Sequence, residues 1–565
     1  MLWTTMLAWL VPIGLGLVAC GAVPPRQVAS VIRTGWLALG IAVIGYWACG
    51  FAFQFGGLGF VSPDPGLAGL AREWTWNPLS ATWGTGWGML GLEGYLLRGP
   101  ASTSAALSLF LSQLPWITTA VAIPLWSLQG RARPFSLFLG GTLMALVYTL
   151  LGNWTWGGGW LANLGLNLDL GHGFIDFAGA GAVHLAGMAC ALAGMLAFGT
   201  RTTMRGSAEQ LALPTLNDHG VPGAARWTAD DESYVPMPSL HLPGLATLGA
   251  WLAIIGWGGW VLSGALHVGA GAQPWAEASS LGALVGLMLA AAGGAMAALC
   301  YCWLTTGQGD ALMVARGVMG ALVAISACLP FVPLWAALAI GAGAGLLIPL
   351  AQYGMEYLLR LDDPTSAVAT HGVSALWGLL ALALFADGHA GQGWNRVGSE
   401  AYLGVSAQGV TGYLAAAGYV GDWPGQFQAQ IAGAAVQFGT CFLSSLLLFA
   451  VIRGLSRAWM GEYTIRLPRR PRPRPQHRPA ARRHWPRVRL VREEGEPTSQ
   501  PAEPEVGEAA AHSPGRGLRA LSSWWRRGVA AVAGRARRKL TPGGTQEAGP
   551  AGDVELDRSD GERDR

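Results

Sequence analysis

Apolar runs of about 20 residues recur along this chain, each long enough to cross a ~30 Å hydrocarbon core as an α-helix. They fall near residues 2–24, 35–56, 104–128, 135–158, 177–200, 243–267, 278–304, 312–329, 332–356, 365–386 and 429–452. Inside a bilayer every backbone N–H and C=O must find a partner within the protein, which leaves helices and closed barrels. A barrel would need ~10-residue segments alternating in polarity, and the runs are continuously apolar instead. The sequence is 52% hydrophobic and only 12% charged, about half the charged fraction of a soluble protein. The expected fold class is therefore an all-α integral membrane protein with eleven transmembrane helices.

Arginine sets the orientation, because Lys539 is the only lysine. Arg26 and Arg33 follow span 1, Arg131 and Arg133 follow span 3, and Arg201, Arg205 and Arg226 follow span 5. Arg360 precedes span 10, and an arginine-rich tail follows span 11, whereas the opposite loops hold Arg72, Arg98 and Arg396. The positive-inside rule places the N-terminus outside and the C-terminus in the cytoplasm of a multi-pass cell-membrane protein. The first run lacks a basic n-region and has the length of a span, although Val18-Ala19-Cys20 would also suit a processed leader.

Two histidines stand in otherwise uncharged apolar segments, each eight residues after an aspartate: Asp176…His184 and Asp363…His371. An ionisable side chain at bilayer depth is costly and marks a functional site by default. One such histidine reads as a hydrogen-bonded core residue. Two at matched spacing point to a repeat with its site at the repeat interface. Spans 1–5 and 6–10 make two halves of five, an odd number, so the second half is inverted relative to the first. Their histidine-bearing helices then enter from opposite faces and bring both imidazoles near the midplane, about 12 Å deeper than the aspartates at 1.5 Å per residue. An imidazole pair in an apolar lumen can hold hydrogen bonds and pass a proton without a permanent charge.

The remaining polar residues have simpler readings. Asp176 suits a helix start, where an acid favours the N-terminus, and equally suits electrostatic support of a cation at an outer mouth. Asp362-Asp363-Pro364 reads as a helix start with proline in the first turn. Arg316 lies about a turn inside span 8 and is expected to snorkel. The seven cysteines lack metal-finger spacing and read as small packing residues. Trp74, Trp76, Trp83 and Trp87 in the 57–103 loop suit an interfacial belt or vestibule. Residues 1–465 form the membrane domain, and residues 466–565 are Arg/Pro-rich, then acidic, and expected to be disordered. Within that tail, 518–540 reads as a basic amphipathic helix on the inner leaflet or as a solvated basic stretch.

At this level of detail the chain, over about residues 5–465, resembles the ammonium transporter family (Amt/MEP/Rh). Asp176-Phe-Ala-Gly…Val183-His184 is similar to that family's DFAGG-x-VVH signature, and Asp362-Asp363-Pro364…His371-Gly372-Val373 to its DDP…HGV signature. Trp156-Gly-Gly-Gly159 resembles its WGGG motif, and Gly256-Trp257-Gly-Gly-Trp260 its GW-x-GFN-x-GS stretch. The resemblance implies a homotrimer with one narrow apolar pore per subunit, twin pore histidines at His184 and His371, and no cofactor or metal. It implies recruitment of ammonium at Trp156, Trp116, Trp260 and Asp176, and pore lining by Trp257 and Ser326. An indole face holding a small cation makes physical sense of Trp156, whose other reading is an interfacial tryptophan.

The pattern departs from the family in several places. Ser112 and Trp116 stand where two stacked phenylalanines are usual, and Trp260 replaces a phenylalanine. Val261 replaces an asparagine, Gly264 the recruiting serine, and Ser326 a threonine. The outer site thus loses a hydroxyl and keeps aromatic surface. Gly461-Glu-Tyr-Thr-Ile-Arg466 poorly matches the segment that docks a PII-type regulatory protein. The expected function is transmembrane transport of ammonium or ammonia, with no nucleic-acid partner. The alternative is an ammonium sensor on a transporter scaffold, signalling through the tail. A membrane-embedded enzyme would require a nucleophile or metal ligands beside the histidines, and the sequence offers none.

Overall fold

The computed structural model describes residues 2–76, 87–199, 241–263 and 277–460. Expectations for Trp83, Gly264, the 461–466 segment and the tail, including 518–540, lie outside them. Among the described residues ten helices are long and apolar enough to cross a membrane: Trp3–Gly21, Gln27–Phe60, Ser104–Leu128, Pro134–Trp156, Ala180–Phe198, Leu242–Leu262, Leu281–Thr306, Leu334–Glu356, Ala367–Phe385 and Gly425–Ser456. The shorter apolar helix Ala311–Ser326 lies between the seventh and eighth of these and serves as span 8. Spans 1–11 are numbered on this set below.

Most ends fall within a few residues of the hydropathy reading. Span 2 starts earlier, in a helix that opens at Pro25, because the helix continues through the polar turns around Arg33 that hydropathy excludes. A proline in the first turn leaves no helical N–H unpaired that would otherwise be bonded.

Spans 5 and 10 differ more. Each aspartate precedes a short non-helical stretch, then a left-handed residue three positions on: Gly179 (φ +82°) and Ser366 (φ +56°). A π-helical segment follows at the fourth position, Ala180–Leu185 in one half and Ala367–Val373 in the other. Both histidines lie in these segments, so the 1.5 Å rise used for their depth does not hold there. At Gly179 a side chain would be strained by the backbone and would also meet the Trp116 ring. At Gly378 of span 10 a side chain would meet the Ala324 carbonyl of span 8, so the two helices touch along their backbones.

Arg316 does not snorkel. It is buried, and its guanidinium donates to the Pro364 carbonyl (2.6 Å) at the entry to span 10. Arg131, just beyond span 3, donates to Gly199 O (3.0 Å) and to the Asp362 carbonyl, and pairs with the Asp362 carboxylate at 3.4 Å. One guanidinium thus ties spans 3 and 5 to the start of span 10. On the other side, strand β1 (Glu73–Thr75) pairs antiparallel with β2 (Gly88–Gly91), and Trp87 stacks on Trp160 at 6.0 Å. Trp74 and Trp76 are exposed.

Candidate functional site

Sequence places the two imidazoles on separate repeats, and folding brings them into contact. His184 Nδ1 and His371 Nδ1 are 3.1 Å apart, with the rings parallel within 4°. His184 is fully buried and His371 is 6% exposed. A single proton serves that Nδ1···Nδ1 contact. Two neutral rings must therefore be opposite tautomers, one protonated on Nδ1 and the other on Nε2. His184 N–H reaches back five residues to Gly179 O (3.2 Å), a π-type bond. Beside His371 lies a cavity of about 20 Å³, room for one water-sized molecule, lined by Leu15, Trp126, Met319, Thr365 and Thr370 among others.

Both aspartates do the same local work. Asp176 Oδ2 accepts from the N–H groups of Gly181 and Ala182, each at 2.9 Å, and Asp363 Oδ2 accepts from Val368 N–H at 2.8 Å. These are the otherwise unpaired amides of a helix start. Asp176 is buried, and its Oδ1 has no hydrogen-bond partner among the described residues.

Four tryptophans continue from His184. Trp257 stacks on the imidazole (5.6 Å, 13°), and Trp260 stacks on Trp257 (5.6 Å, 8°). Trp116 lies 4.0 Å from Trp260, and Trp156 meets Trp116 edge-on at 5.5 Å. Trp257 Nε1 donates to Ser326 Oγ (2.7 Å), and Trp156 Nε1 to the Asp176 carbonyl (2.7 Å). Ser112 is buried and donates to Leu109 O (2.7 Å), while Val261 is buried one residue beyond Trp260. The structure therefore groups His184, His371, Trp257, Trp260, Trp116, Trp156, Asp176 and Ser326 in one continuous column.

Two supports carry no sequence motif. Span 11 presents Gln426 and Gln430 to the irregular segment before Asp176. Gln426 accepts from His172 N–H (2.9 Å) and donates to Gly173 O (3.0 Å). Gln430 accepts from Ile175 N–H (2.9 Å) and donates to Ile175 O (2.8 Å), acting as a neighbouring strand would. A polar i, i+4 pair in an otherwise apolar helix is the signal that could have marked them. Beside Trp156, Gln113 accepts from Gln54 (3.1 Å) and from the Tyr148 hydroxyl (2.7 Å). In the loop between spans 4 and 5, burial holds the His172 imidazole down to about 3. Burial also raises the Glu73 carboxyl to about 7, against the opposing pull of Asn153 and Arg396.

Intramembrane ionisable residues delivered by matching helices of two repeats are the mark of a transporter-class membrane protein. The Ammonium Transporter Family model matches residues 1–219 and 236–457, and the chain belongs to that family. It is 28% identical over 447 residues to ammonium transporter Amt2 of Archaeoglobus fulgidus, covering 78% of this chain and 79% of that relative. It is 24% identical over 389 residues to an ammonium transporter of Bacillus subtilis, covering 68% and 79%. Among solved structures, a sensor Amt protein matches with a TM-score of 0.57 at 23% identity, covering 81% of this chain and 93% of that one. Saccharomyces cerevisiae Mep2 matches with a TM-score of 0.53 at 20% identity, covering 82% and 86%. These likenesses are of fold.

Proposed function

We propose that this chain moves ammonium across the cell membrane as ammonia, through the column that ends at His184 and His371. The supporting observation is the 3.1 Å contact between two buried imidazoles from opposite repeats. Ammonium is held outside against the indole faces of Trp156, Trp116 and Trp260, a contact worth about 0.5–2 kcal/mol, with the Asp176 carboxylate supporting the cation field. A dry apolar conduit strongly disfavours a bare ion, so ammonium divides into ammonia and a proton. Ammonia passes Trp257, Ser326 and the histidines. The proton is relayed over the same imidazoles, entering one ring nitrogen as another leaves.

In this reading the protein is a homotrimer with its N-terminus outside and residues 466–565 in the cytoplasm, and it is a transporter rather than an enzyme. A PII-type partner would have to dock through 461–466. Growth on limiting ammonium tests the function. A strain without its own ammonium transporters should grow when this chain is expressed, and no growth with the protein present in the membrane would reject the proposal.

A further inference from the structure

The four indoles beside the histidines are not chemically equivalent. Trp156 and Trp257 each spend their N–H on an oxygen at 2.7 Å. Trp116 and Trp260 are both fully buried, yet neither Nε1 has a hydrogen-bond partner among the described residues. Buried N–H groups nearly always find acceptors, so two unpaired ones in adjoining rings require an explanation. Neighbouring hydroxyls are oriented elsewhere: Ser263 donates to Trp260 O (2.8 Å), and Ser326 donates to Leu322 O (2.7 Å) while accepting from Trp257. The Cε3–Cζ3 edge of Trp116 abuts Gly179, which leaves Nε1 on the opposite edge of the indole.

An indole N–H can only donate. An ammonium ion has four N–H bonds and no lone pair, so that group offers it nothing. Ammonia keeps a lone pair and can accept. The ring face does the reverse, attracting the cation through its quadrupole. A tryptophan therefore presents a face for the ion and an edge for the neutral molecule, whereas a phenylalanine presents only the face.

Resting on the ammonium-transport reading, we propose that Trp116 and Trp260 form a subsite for the neutral molecule. One Nε1–H at a time donates to the single nitrogen lone pair of ammonia, which passes from Trp116 to Trp260 between Trp156 and His184. The position fits that order: Trp116 meets Trp156 at 5.5 Å, and Trp260 stacks over His184 at 6.4 Å. Water is the other small lone-pair acceptor that such donors could hold, and the test separates the two.

The full chain, reconstituted in proteoliposomes, is compared with Trp116→Phe, Trp260→Phe, and each tryptophan replaced by 3-benzothienylalanine, which keeps the bicyclic shape without the N–H. Ammonium-dependent flux and osmotic water permeability are measured on each. Loss of one neutral hydrogen bond should lower maximal ammonium flux by about 3- to 10-fold. The half-saturating concentration should stay within about twofold, because the ring faces remain. The benzothienyl variants should reproduce the loss. Equal or faster flux in the phenylalanine variants, as plugging rings would give, overturns the subsite. So does a loss with phenylalanine that the benzothienyl ring restores, or a change confined to water permeability. A wild-type chain that moves no ammonium overturns the transport reading and the subsite together. An active wild type with unchanged variants overturns the subsite alone.

Discussion

Asp176 carries two duties that one substitution can separate. Its Oδ2 accepts from two helix-start amides, while Oδ1 is buried with no hydrogen-bond partner among the described residues. Asparagine keeps an acceptor oxygen and removes the charge; alanine removes both. Asp176→Ala should leave both amides unpaired at about 1–3 kcal/mol each, with a lower melting temperature in detergent. Asp176→Asn should fold normally and raise the half-saturating ammonium concentration by about 5-fold if the charge supports the cation. Wild-type kinetics in the asparagine variant would leave Asp176 as a cap alone. At this scale the sequence is most legible where chemistry is costly. Histidine and aspartate in apolar runs stand out because their burial is costly, and their eight-residue spacing survives into matched geometry. The Trp116 and Trp260 indole N–H groups, without partners among the described residues, are not legible, because pairing depends on where a ring's edge points.

Segments hold this site as much as side chains do. The stretch 172–175 is irregular, with Gly173 at φ +72°, and Gln430 satisfies both backbone groups of Ile175. Gln430→Leu should strip both Ile175 backbone groups of partners and cost about 2–4 kcal/mol, read as reduced thermal stability with an intact membrane fold. The hairpin of strands β1 and β2 titrates through Glu73. Its carboxyl is raised from 4.5 to about 7 in the fold, so the native state binds more protons than the unfolded chain between those values. The hairpin's stability is then fully present below about pH 4.5 and falls as pH approaches 7. Hydrogen exchange at 73–75 and 88–91 should quicken over that window in wild type and lose this dependence in Glu73→Gln. Helix existence is legible from hydropathy, since each apolar run must be satisfied internally. The π-helical starts of spans 5 and 10 are not, because the i→i+5 bonding of His184 to Gly179 has no compositional mark.

At the level of the whole molecule, two halves of five spans bring two helices with π-helical starts to one contact, and the inversion follows from an odd number of crossings. Exposed large apolar side chains such as Trp36, Trp251, Met288 and Leu447 cover the outside of the helix bundle, a surface suited to lipid or to copies of the chain. Native mass measurement should find three chains per particle, and a stable monomer would contradict the trimer. The transport account itself turns on the imidazole contact. Ammonium-evoked current and uptake in proteoliposomes carrying wild type, His184→Ala and His371→Ala test it most directly. Wild type should give robust signals and each variant a loss of at least about tenfold, beyond what one altered side chain in a tolerant wall would cause. Full activity in both variants would contradict it.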